Sequence, residues 1–320
     1  MYPYYKNNRF LNHPDEKGHS VFFKSLWMII TGIFSGRRTQ RAHNFLHAPT
    51  IAEHNALRNA AGHNKCVITW LGHATFLITV PGATIITDPV LGDLSLLYKR
   101  WDNPVITPDQ LPSIDIILLS HNHRDHMDEA SIRILHAKNP AIKTLVPMGD
   151  KAWFIKRGLG NVHECSWWES IKIGEAMYTF LPAKHWSQRG FFDRNKSLWG
   201  SWMIQSPDIC LYFAGDTAYG EHFSLIGKQY SIDIALMPIG PCEPHAWMKD
   251  SHLNAQQAVQ AFCDLNARHF IAMHWGTFPF GIDYQALPYE YLLDSWQTHS
   301  DKALRKKTLH PGACGKTLQF

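Results

Sequence analysis

The feature that most constrains the fold of this chain is a group of potential metal ligands at the end of an apolar run. The run Ile-Ile-Leu-Leu-Ser at 116–120 is followed at once by His121, His123, Asp125 and His126. A turn from a strand into a helix can direct alternate side chains into one pocket, and imidazoles and carboxylates are ligands that zinc prefers. We therefore predict that two metal sites share this loop.

Three further ligand candidates follow predicted strands elsewhere in the chain. His185 follows the run 177–181, Asp216 follows 210–214, and His274 follows 270–273. Because α/β sheets carry their sites at strand ends along one edge, we expect these side chains to meet the loop at 121–126. We assign the ligands as two groups with a shared carboxylate: His121, His123 and His185 on the first metal, Asp125, His126 and His274 on the second, and Asp216 bridging both.

The predicted centre needs no serine, cysteine or lysine nucleophile. A water molecule between two such metals would lose a proton near neutral pH and attack, while the metals bind the attacked oxygens. Asp125 is thus a catalytic candidate as well as a ligand. Zinc is the expected metal, but the same ligands accept iron and manganese. A structural role for the histidines is the alternative, because the chain has 20 of them.

The composition limits the fold class, the kinds of binding partner and the cellular compartment that we expect. A chain of 320 residues with 45% hydrophobic residues can bury the core of one large α/β domain. The net charge of +4, without a run of five or more like charges, does not predict binding to nucleic acid. The six cysteines are scattered without a C-x-x-C pair, which predicts free thiols in a reducing compartment and a cytoplasmic location.

We divide the chain into an N-terminal arm at 1–60 and a hydrolase domain at 61–320. The arm is rich in His, Asn and Arg, and one short helix is predicted near 22–34. In the larger part, one helix is predicted over about 130–138, and another begins at the N-cap Asn254, where Gln257 completes a capping box. Short β-branched runs bounded by turn residues predict the strands 67–70, 76–80, 84–87, 114–119, 143–146, 171–173, 177–181, 201–205, 210–214, 232–237 and 270–273.

The segment 21–34 is the candidate for membrane contact. Lys24 interrupts it, and its apolar part falls short of the ~18 residues needed to span a bilayer. With Arg37, Arg38 and Arg41 behind it, the segment fits a helix in the membrane interface with arginines on lipid phosphates. A helix that covers the sheet is the alternative. We therefore expect a cytoplasmic protein that is either free of the membrane or peripheral on its inner face.

The loop 121–126 matches the pattern H-x-H-x-D-H letter for letter, and in this the chain resembles the metallo-β-lactamase superfamily. The resemblance implies an α/β fold, an αββα sandwich of two mixed sheets flanked by helices. Further motifs lie at 70–75 (WLGHAT), 87–89 (TDP), 120–123 (SHNH), 167–169 (WWE), 185–187 (HWS), 193–195 (DRN), 198–201 (LWGS) and 274–278 (HWGTF). Over about 65–280, these motifs resemble the N-acyl phosphatidylethanolamine-hydrolysing phospholipase D family and its bacterial relatives.

The resemblance implies phosphodiester hydrolysis in an N-acyl phosphatidylethanolamine or a related phospholipid at a binuclear zinc centre. The products would be phosphatidic acid and an N-acylethanolamine, and a homodimer is common in such a family. A nuclease or lactonase of the same fold is the alternative, although a nuclease is expected to carry a basic patch. A lipid-binding module without activity is the non-enzymatic alternative, and it predicts gaps among the ligands, of which this chain has none.

Five residues around the ligands are further site candidates. Asp88 precedes a proline at a strand end and is predicted to orient a ligand histidine. His252 resembles a histidine placed near the substrate phosphate, where it would protonate the leaving alcohol or bind phosphoryl oxygens; a structural loop histidine is the alternative. His73 either lines the cleft or is a buried, hydrogen-bonded histidine. Trp186 and Trp275 each adjoin a ligand and are predicted to line the pocket.

Two residues beside the ligands depart from the resembled family. Arg124 stands where the eukaryotic enzyme is expected to have tyrosine, and Gln188 stands where glycine is expected after His-Trp-Ser. Both adjoin the predicted metal centre, so both bear on substrate preference.

Overall fold

The fold consists of two large β-sheets packed face to face between layers of helices. The computed structural model describes residues 1–13, 51–60, 65–96, 98–310 and 312–320. Each large sheet has seven strands, and helices flank the pair. The αββα sandwich of two mixed sheets that the family resemblance implies is thus confirmed. The predicted helix near 22–34 and the membrane-interface segment 21–34 lie outside the described residues.

The described part of the N-terminal region forms a β-hairpin and a helix that sequence analysis did not predict. Strands β1 (Tyr4–Lys6) and β2 (Arg9–Leu11) pair antiparallel, and helix α1 spans Ile51–Ala60. The side chain of Phe10 is buried, and its backbone N–H donates to the carbonyl oxygen of Asn195 at 2.8 Å. The hairpin therefore packs on the larger part of the chain.

The first large sheet combines an antiparallel half with a parallel half. Its strands are β3 (Val67–Gly72), β4 (Thr75–Val80), β5 (Ala83–Thr87), β6 (Ile116–Leu118), β7 (Lys143–Pro147), β8 (Val162–Cys165) and, from the end of the chain, β16 (Thr317–Gln319). The neighbours β16, β3, β4 and β5 pair antiparallel, whereas β5, β6, β7 and β8 pair parallel.

The second large sheet repeats this plan. Its strands are β9 (Ser170–Ile173), β10 (Ala176–Leu181), β11 (Ser201–Gln205), β12 (Cys210–Phe213), β13 (Ile234–Pro238), β14 (His269–Met273) and β15 (Thr308–Leu309). The first four pair antiparallel in this order, and β12 to β15 pair parallel. Carboxyl ends of parallel strands share one edge of a sheet, so the loops that follow them lie side by side.

The remaining helices are α2 (Glu129–Lys138), α3 (Lys151–Ile155), α4 (His222–Gln229), α5 (His245–Met248), α6 (Ala255–Leu265) and α7 (Leu287–Thr298). Helix α6 begins as predicted, because the side chain of Asn254 accepts from the N–H of Gln257 at 2.8 Å and the Gln257 side chain accepts from the N–H of Asn254. Within the described ranges, no helix is both long and apolar enough to span a bilayer.

Strand β6 shows how the first sheet is buried on both faces. Ile116 and Leu118 belong to the apolar core between the two sheets, whereas Ile117 packs with Leu135 of α2 on the opposite face. Successive side chains of a strand point to opposite faces, so a strand covered on both sides must be apolar throughout. This requirement explains the apolar run that precedes the ligand loop.

A glycine allows the two sheets to touch at the edge where the ligand candidates lie. Gly215 follows β12 with a φ of 58°, in the left-handed region. A Cβ at this position would lie 2.5 Å from Cβ of Ser120, which follows β6. A side chain here would therefore force the two strand ends apart.

We predict that Gly215→Ala destabilises the fold more than Gly82→Ala does. Gly82 also has a positive φ, of 78°, but no described atom lies within 4 Å of the position of its missing Cβ. Both changes strain the backbone by about 1–2 kcal/mol, and Gly215→Ala should cost about 1–3 kcal/mol more through overpacking. Urea denaturation measures both losses. Equal losses would mean that the strand ends separate without cost.

Candidate metal centre

The structure brings all seven predicted ligands together at one edge of the sandwich. Loop 119–128, between β6 and α2, carries four of them, and the loops after β10, β12 and β14 carry His185, Asp216 and His274. Strands β12 and β14 are parallel members of one sheet, and β6 ends opposite them in the other sheet. The cluster thus forms where strand ends of both sheets meet.

Three imidazoles form the first group, with His123 in the middle. Nδ1 of His123 lies 2.7 Å from Nε2 of His121 and 3.3 Å from Nε2 of His185. One ligand atom from each of the three residues falls within 4.8 Å of the other two. This group has the composition and spacing of a three-histidine metal site.

The second group consists of Asp125, His126 and His274, with His73 beside them. Their ligand atoms also lie within 4.8 Å of one another. Nε2 of His126 lies 3.5 Å from Oδ2 of Asp125, and Nε2 of His73 lies 3.1 Å from that same oxygen. A mixed imidazole and carboxylate site therefore adjoins the first group.

Asp216 lies between the two groups. Its Oδ2 is 3.2 Å from Nε2 of His126, 3.8 Å from Nε2 of His185 and 3.9 Å from Nε2 of His121. Its Oδ1 is 3.1 Å from Nε2 of His274. A carboxylate in this position can contact cations on both sides.

Unsatisfied buried atoms indicate that the cluster fits metal ions. Among the described side chains, buried atoms without a hydrogen-bond partner include Nε2 of His126 and His274, Oδ1 of Asp216 and Nδ1 of His252. Buried polar atoms are almost always hydrogen bonded, so this concentration in one place requires an explanation. Cations bound by imidazole and carboxylate would satisfy these atoms together.

Burial keeps the first group neutral. It lowers the pKa of His123 to about 4 and the pKa of His185 to about 3, and it lowers the pKa of His121 well below its usual range. At neutral pH these imidazoles carry free lone pairs. Only a neutral imidazole can bind a metal, so the first group is ready to do so.

The second group holds opposite charges. Burial lowers the pKa of His126, but the carboxylates of Asp216 and Asp125 outweigh it and raise this pKa well above its usual value. Burial raises the pKa of Asp216, but His126 and His274 outweigh it and hold this pKa well below its usual value. Without a metal, the His126 proton therefore supplies the positive charge that the carboxylates need.

The Nδ1 atoms of several cluster histidines contact hydrogen-bond acceptors on the side away from the cluster. Nδ1 of His126 lies 2.7 Å from Oδ2 of Asp88, that of His185 lies 2.7 Å from the carbonyl oxygen of Ser251, and that of His274 lies 2.9 Å from that of Gly240. Each contact directs Nε2 of its ring towards the cluster. Outer partners of this kind orient metal ligands in proteins.

His252 and His73 both adjoin the ring of His274 and the cluster. Nδ1 of His252 is 3.7 Å from Oδ2 of Asp216 and forms a possible ligand group with His185 and Asp216. The ring of His73 is buried, bonded to Asp125 and 4.1 Å from the ring of His274. His73 is thus both buried and part of the wall of the cluster.

A cavity of 240 Å³ opens onto the cluster. The ring of Trp186 lies 4.2 Å from that of His123 and forms one wall, as predicted. Trp275 is buried between Trp70 and Tyr289, and it lines a smaller neighbouring pocket with His73 and His274 and not this cavity. The cavity is lined by His123, Arg124, Asp125, Trp186, Asp216, Pro241, Met248, His252, His274, Phe280 and Gly281.

Sequence analysis missed several residues of the site. Met248 and Phe280 line the cavity, and Asn12 clamps a ligand from the N-terminal hairpin. Asn12 Nδ2 donates to the carbonyl oxygen of His185 at 2.9 Å, and Asn12 Oδ1 accepts from its N–H at 3.1 Å. Phe280 stands shortly after a ligand in sequence and could have been suspected, whereas no local pattern marks Asn12 or Met248.

Known proteins share this architecture and much of this sequence. A family model described as a beta-lactamase superfamily domain matches residues 83–275. Among solved structures, a metallohydrolase from the archaeon Ignicoccus hospitalis has a TM-score of 0.62 at 21% identity, over 80% of this chain and 99% of that chain. This second likeness shows the fold alone.

Two curated relatives are more similar in sequence. The chain is 36% identical over 250 residues to N-acyl-phosphatidylethanolamine-hydrolyzing phospholipase D 1 of Caenorhabditis elegans, which is 73% of this chain and 70% of the relative. It is 35% identical over 274 residues to the mitochondrial protein of that name from Saccharomyces cerevisiae, which is 80% of this chain but 57% of the longer relative. The chain therefore belongs to the β-lactamase superfamily, as a metal-dependent hydrolase homologous to the N-acyl-phosphatidylethanolamine-hydrolysing phospholipases D.

Proposed function

We propose that this chain is a binuclear phosphodiesterase that cleaves N-acyl phosphatidylethanolamine, or a closely related phospholipid, in a phospholipase D-type reaction. The observation that carries the proposal is the pair of ligand groups around Asp216, open to a cavity with both apolar and cationic walls. The names of the relatives support the substrate. In the reaction, water oxygen bonds to phosphorus, the bond from phosphorus to the ethanolamine oxygen breaks, and that oxygen takes a proton.

We assign His121, His123 and His185 to the first metal, and Asp125, His126 and His274 to the second, with Asp216 on both. Zinc fits these ligands best, and iron or manganese can replace it. When bound, the two ions supply Lewis acidity and lower the pKa of water.

The protein itself orients the ligands, shields the site and handles the leaving group. Asp88 holds Nδ1 of His126 on the side away from the cluster, and the Trp186 ring packs against the ring of His123 at 4.2 Å. His252 lies on the cavity wall with an unpartnered Nδ1. Burial lowers the pKa of His252 to about 3, so its imidazole is neutral, and its N–H can donate a hydrogen bond to a phosphoryl oxygen or a proton to the departing alkoxide. Asp125, held by His73, also faces the cavity and stays ionised.

The cavity walls suit an amphipathic phosphodiester. Pro241, Met248 and Phe280 offer an apolar side for an acyl chain, and the exposed Arg124 offers a cation for a phosphate oxygen. Arg124 is the position at which the chain departs from the tyrosine expected in the eukaryotic enzyme. We therefore expect this chain to prefer substrates with more negative charge near the scissile phosphate.

The test of this function is incubation of the purified chain with N-acyl phosphatidylethanolamine in detergent, with products identified by mass spectrometry. Phosphatidic acid and N-acylethanolamine are expected from the wild type. If the chain cleaves only a generic phosphodiester, the phosphodiesterase activity is supported and the assignment of a phospholipid substrate is wrong. Absence of both activities from metal-loaded protein would overturn the proposed function.

We predict about two bound metal ions per chain and a loss of metal in His185→Ala. The change removes one imidazole from the first group, so about one ion or less should remain. Elemental analysis of the purified protein measures the content. His163→Ala removes an exposed histidine on β8 and should keep the wild-type content. Equal metal in both variants would contradict the ligand assignment.

We predict that Asp88→Asn weakens metal binding about 10- to 100-fold. The change keeps the size of the side chain but removes the charge that holds Nδ1 of His126. Competition with a chelator measures the affinity. Asp115→Asn is the matched control, because Asp115 also accepts a buried backbone N–H, from Thr84, away from the cluster. If Asp88→Asn binds metal like this control, Asp88 does not orient the ligand.

We predict that His252→Ala lowers kcat about 10²- to 10⁴-fold and leaves the metal content unchanged. His245→Ala is the control, because His245 lies on the same segment and its Nδ1 contacts Asn254 instead of the cluster. Kinetics and elemental analysis on the same preparations decide between two roles. Loss of metal in His252→Ala would make His252 a ligand and not a proton donor.

A further inference from the structure

We propose that the loop 188–196 is a membrane-docking surface that inserts two phenylalanine rings into an anionic phospholipid bilayer beside the mouth of the cavity. The inference rests on the proposed function, because it assigns the way in which a phospholipid substrate is reached. It names a surface different from the segment 21–34 that the sequence suggests for membrane contact.

Two adjacent aromatic side chains project from this loop into solvent. Phe191 is 85% exposed and Phe192 is 86% exposed. Large rings are seldom left so open in pairs, and contiguous exposed apolar groups mark interaction sites. Phenylalanine rings flanked by arginines are typical of surfaces that bind the membrane interface.

Hydrogen bonds within the loop hold its base together. The carboxylate of Asp193 accepts the N–H of Arg189 at 3.2 Å and that of Gly190 at 2.8 Å. At the base of the loop, the N–H of Asn195 donates to the carbonyl oxygen of Ser187 at 2.7 Å. These bonds satisfy amides at the base of the loop, and a tip that inserts only to the headgroup level keeps water and headgroups as partners for its own backbone.

The loop is also fixed to the body of the protein. The guanidinium of Arg189 donates to the carbonyl oxygen of Met127 at 2.6 Å and lies 4.7 Å from the ring of Trp153. The guanidinium of Arg194 lies 5.1 Å from the ring of Trp186. The phenylalanines are therefore presented on a firm base and do not collapse onto the protein.

The charges around the loop complement anionic lipid. Exposed cations lie at Arg9, which donates to the carbonyl oxygen of Arg194 at 3.0 Å, at Arg124 and at Lys196. The neighbouring acid, Asp193, is engaged by the loop amides. Basic groups around apolar tips attract anionic headgroups and orient the surface on them.

The two ends of the loop adjoin the cavity. At one end, Nη2 of Arg124, a cavity-wall residue, donates to the carbonyl oxygen of Arg189 at 3.3 Å. At the other end, Arg194 covers Trp186, which forms another part of the wall. Insertion of the tip would thus place the mouth of the cavity at the headgroup level, where a phospholipid can enter without leaving the bilayer.

The experiment compares binding of the full chain to vesicles of phosphatidylcholine with and without phosphatidylglycerol, by sedimentation, in the absence of substrate. Phe191→Ser/Phe192→Ser should lower binding to the phosphatidylglycerol vesicles at least about tenfold. Tyr291→Ser/Leu293→Ser is the matched control, because it removes two exposed apolar side chains from α7 and should bind like the wild type. Higher salt should weaken binding of the wild type to the charged vesicles.

Several outcomes would overturn the proposal. One is a loop variant that binds vesicles like the wild type, and another is a wild type that binds no vesicles yet cleaves detergent-dispersed substrate. A third is a loop variant that binds vesicles normally but is a monomer where the wild type is a dimer, as measured by analytical ultracentrifugation. The two rings would then contact a second copy of the chain and not the membrane. The proposed function can also fail separately. If the wild type binds vesicles but cleaves no lipid, and the loop variant loses vesicle binding, the docking surface is supported and the proposed function is wrong.

Discussion

The site depends on one buried carboxylate, that of Asp88, which joins three parts of the chain. It follows β5, accepts the N–H and hydroxyl of Ser120 at 2.7 and 2.6 Å after β6, and holds Nδ1 of His126 in the ligand loop. Burying a charge is unfavourable unless hydrogen bonds compensate for it, and here they come from the elements whose relative position matters. Since His126 is held from behind, its Nε2 faces Asp216 on the second sheet. The contact between Asp88 and His126 thereby sets the distance from His126 to Asp216 across the centre.

The parts of the site that the sequence predicts are those governed by local rules. The ligand loop follows an apolar strand because β6 is covered on both faces, and Asn254 begins α6 because its side chain and that of Gln257 satisfy each other's backbone groups. Parallel pairing brings the loops after β12 and β14 to one edge, and the packing of the two sheets brings the loop after β6 to the same edge. Whether each of the seven side chains binds a metal stays a prediction, although their grouping and their unsatisfied atoms support it.

The features that sequence analysis missed depend on the direction in which the chain or a side chain turns, and not on a pattern of residue types. The hairpin of β1 and β2 turns at Asn7 and Asn8, both with positive φ, which is a recognisable turn signal, but its strands have only three residues each. Trp275 adjoins His274 in sequence, yet His274 has a φ of 61°, and the Trp275 ring lies between aromatic rings of the core, where it lines a smaller pocket and not the cavity of 240 Å³. Adjacency to a ligand does not determine on which side of the backbone a ring lies.

The N-terminal hairpin links ligand geometry to the rim of the cavity. Asn12 clamps the backbone of His185 through both its N–H and its carbonyl, while Phe10 and Arg9 bond to the backbone at 194–195, where the exposed loop returns to the body. A ligand of the first group and the base of the loop therefore share one support. Residues 9–12 thus contribute to the site itself, and removal of their hydrogen bonds would loosen His185 and the rim together.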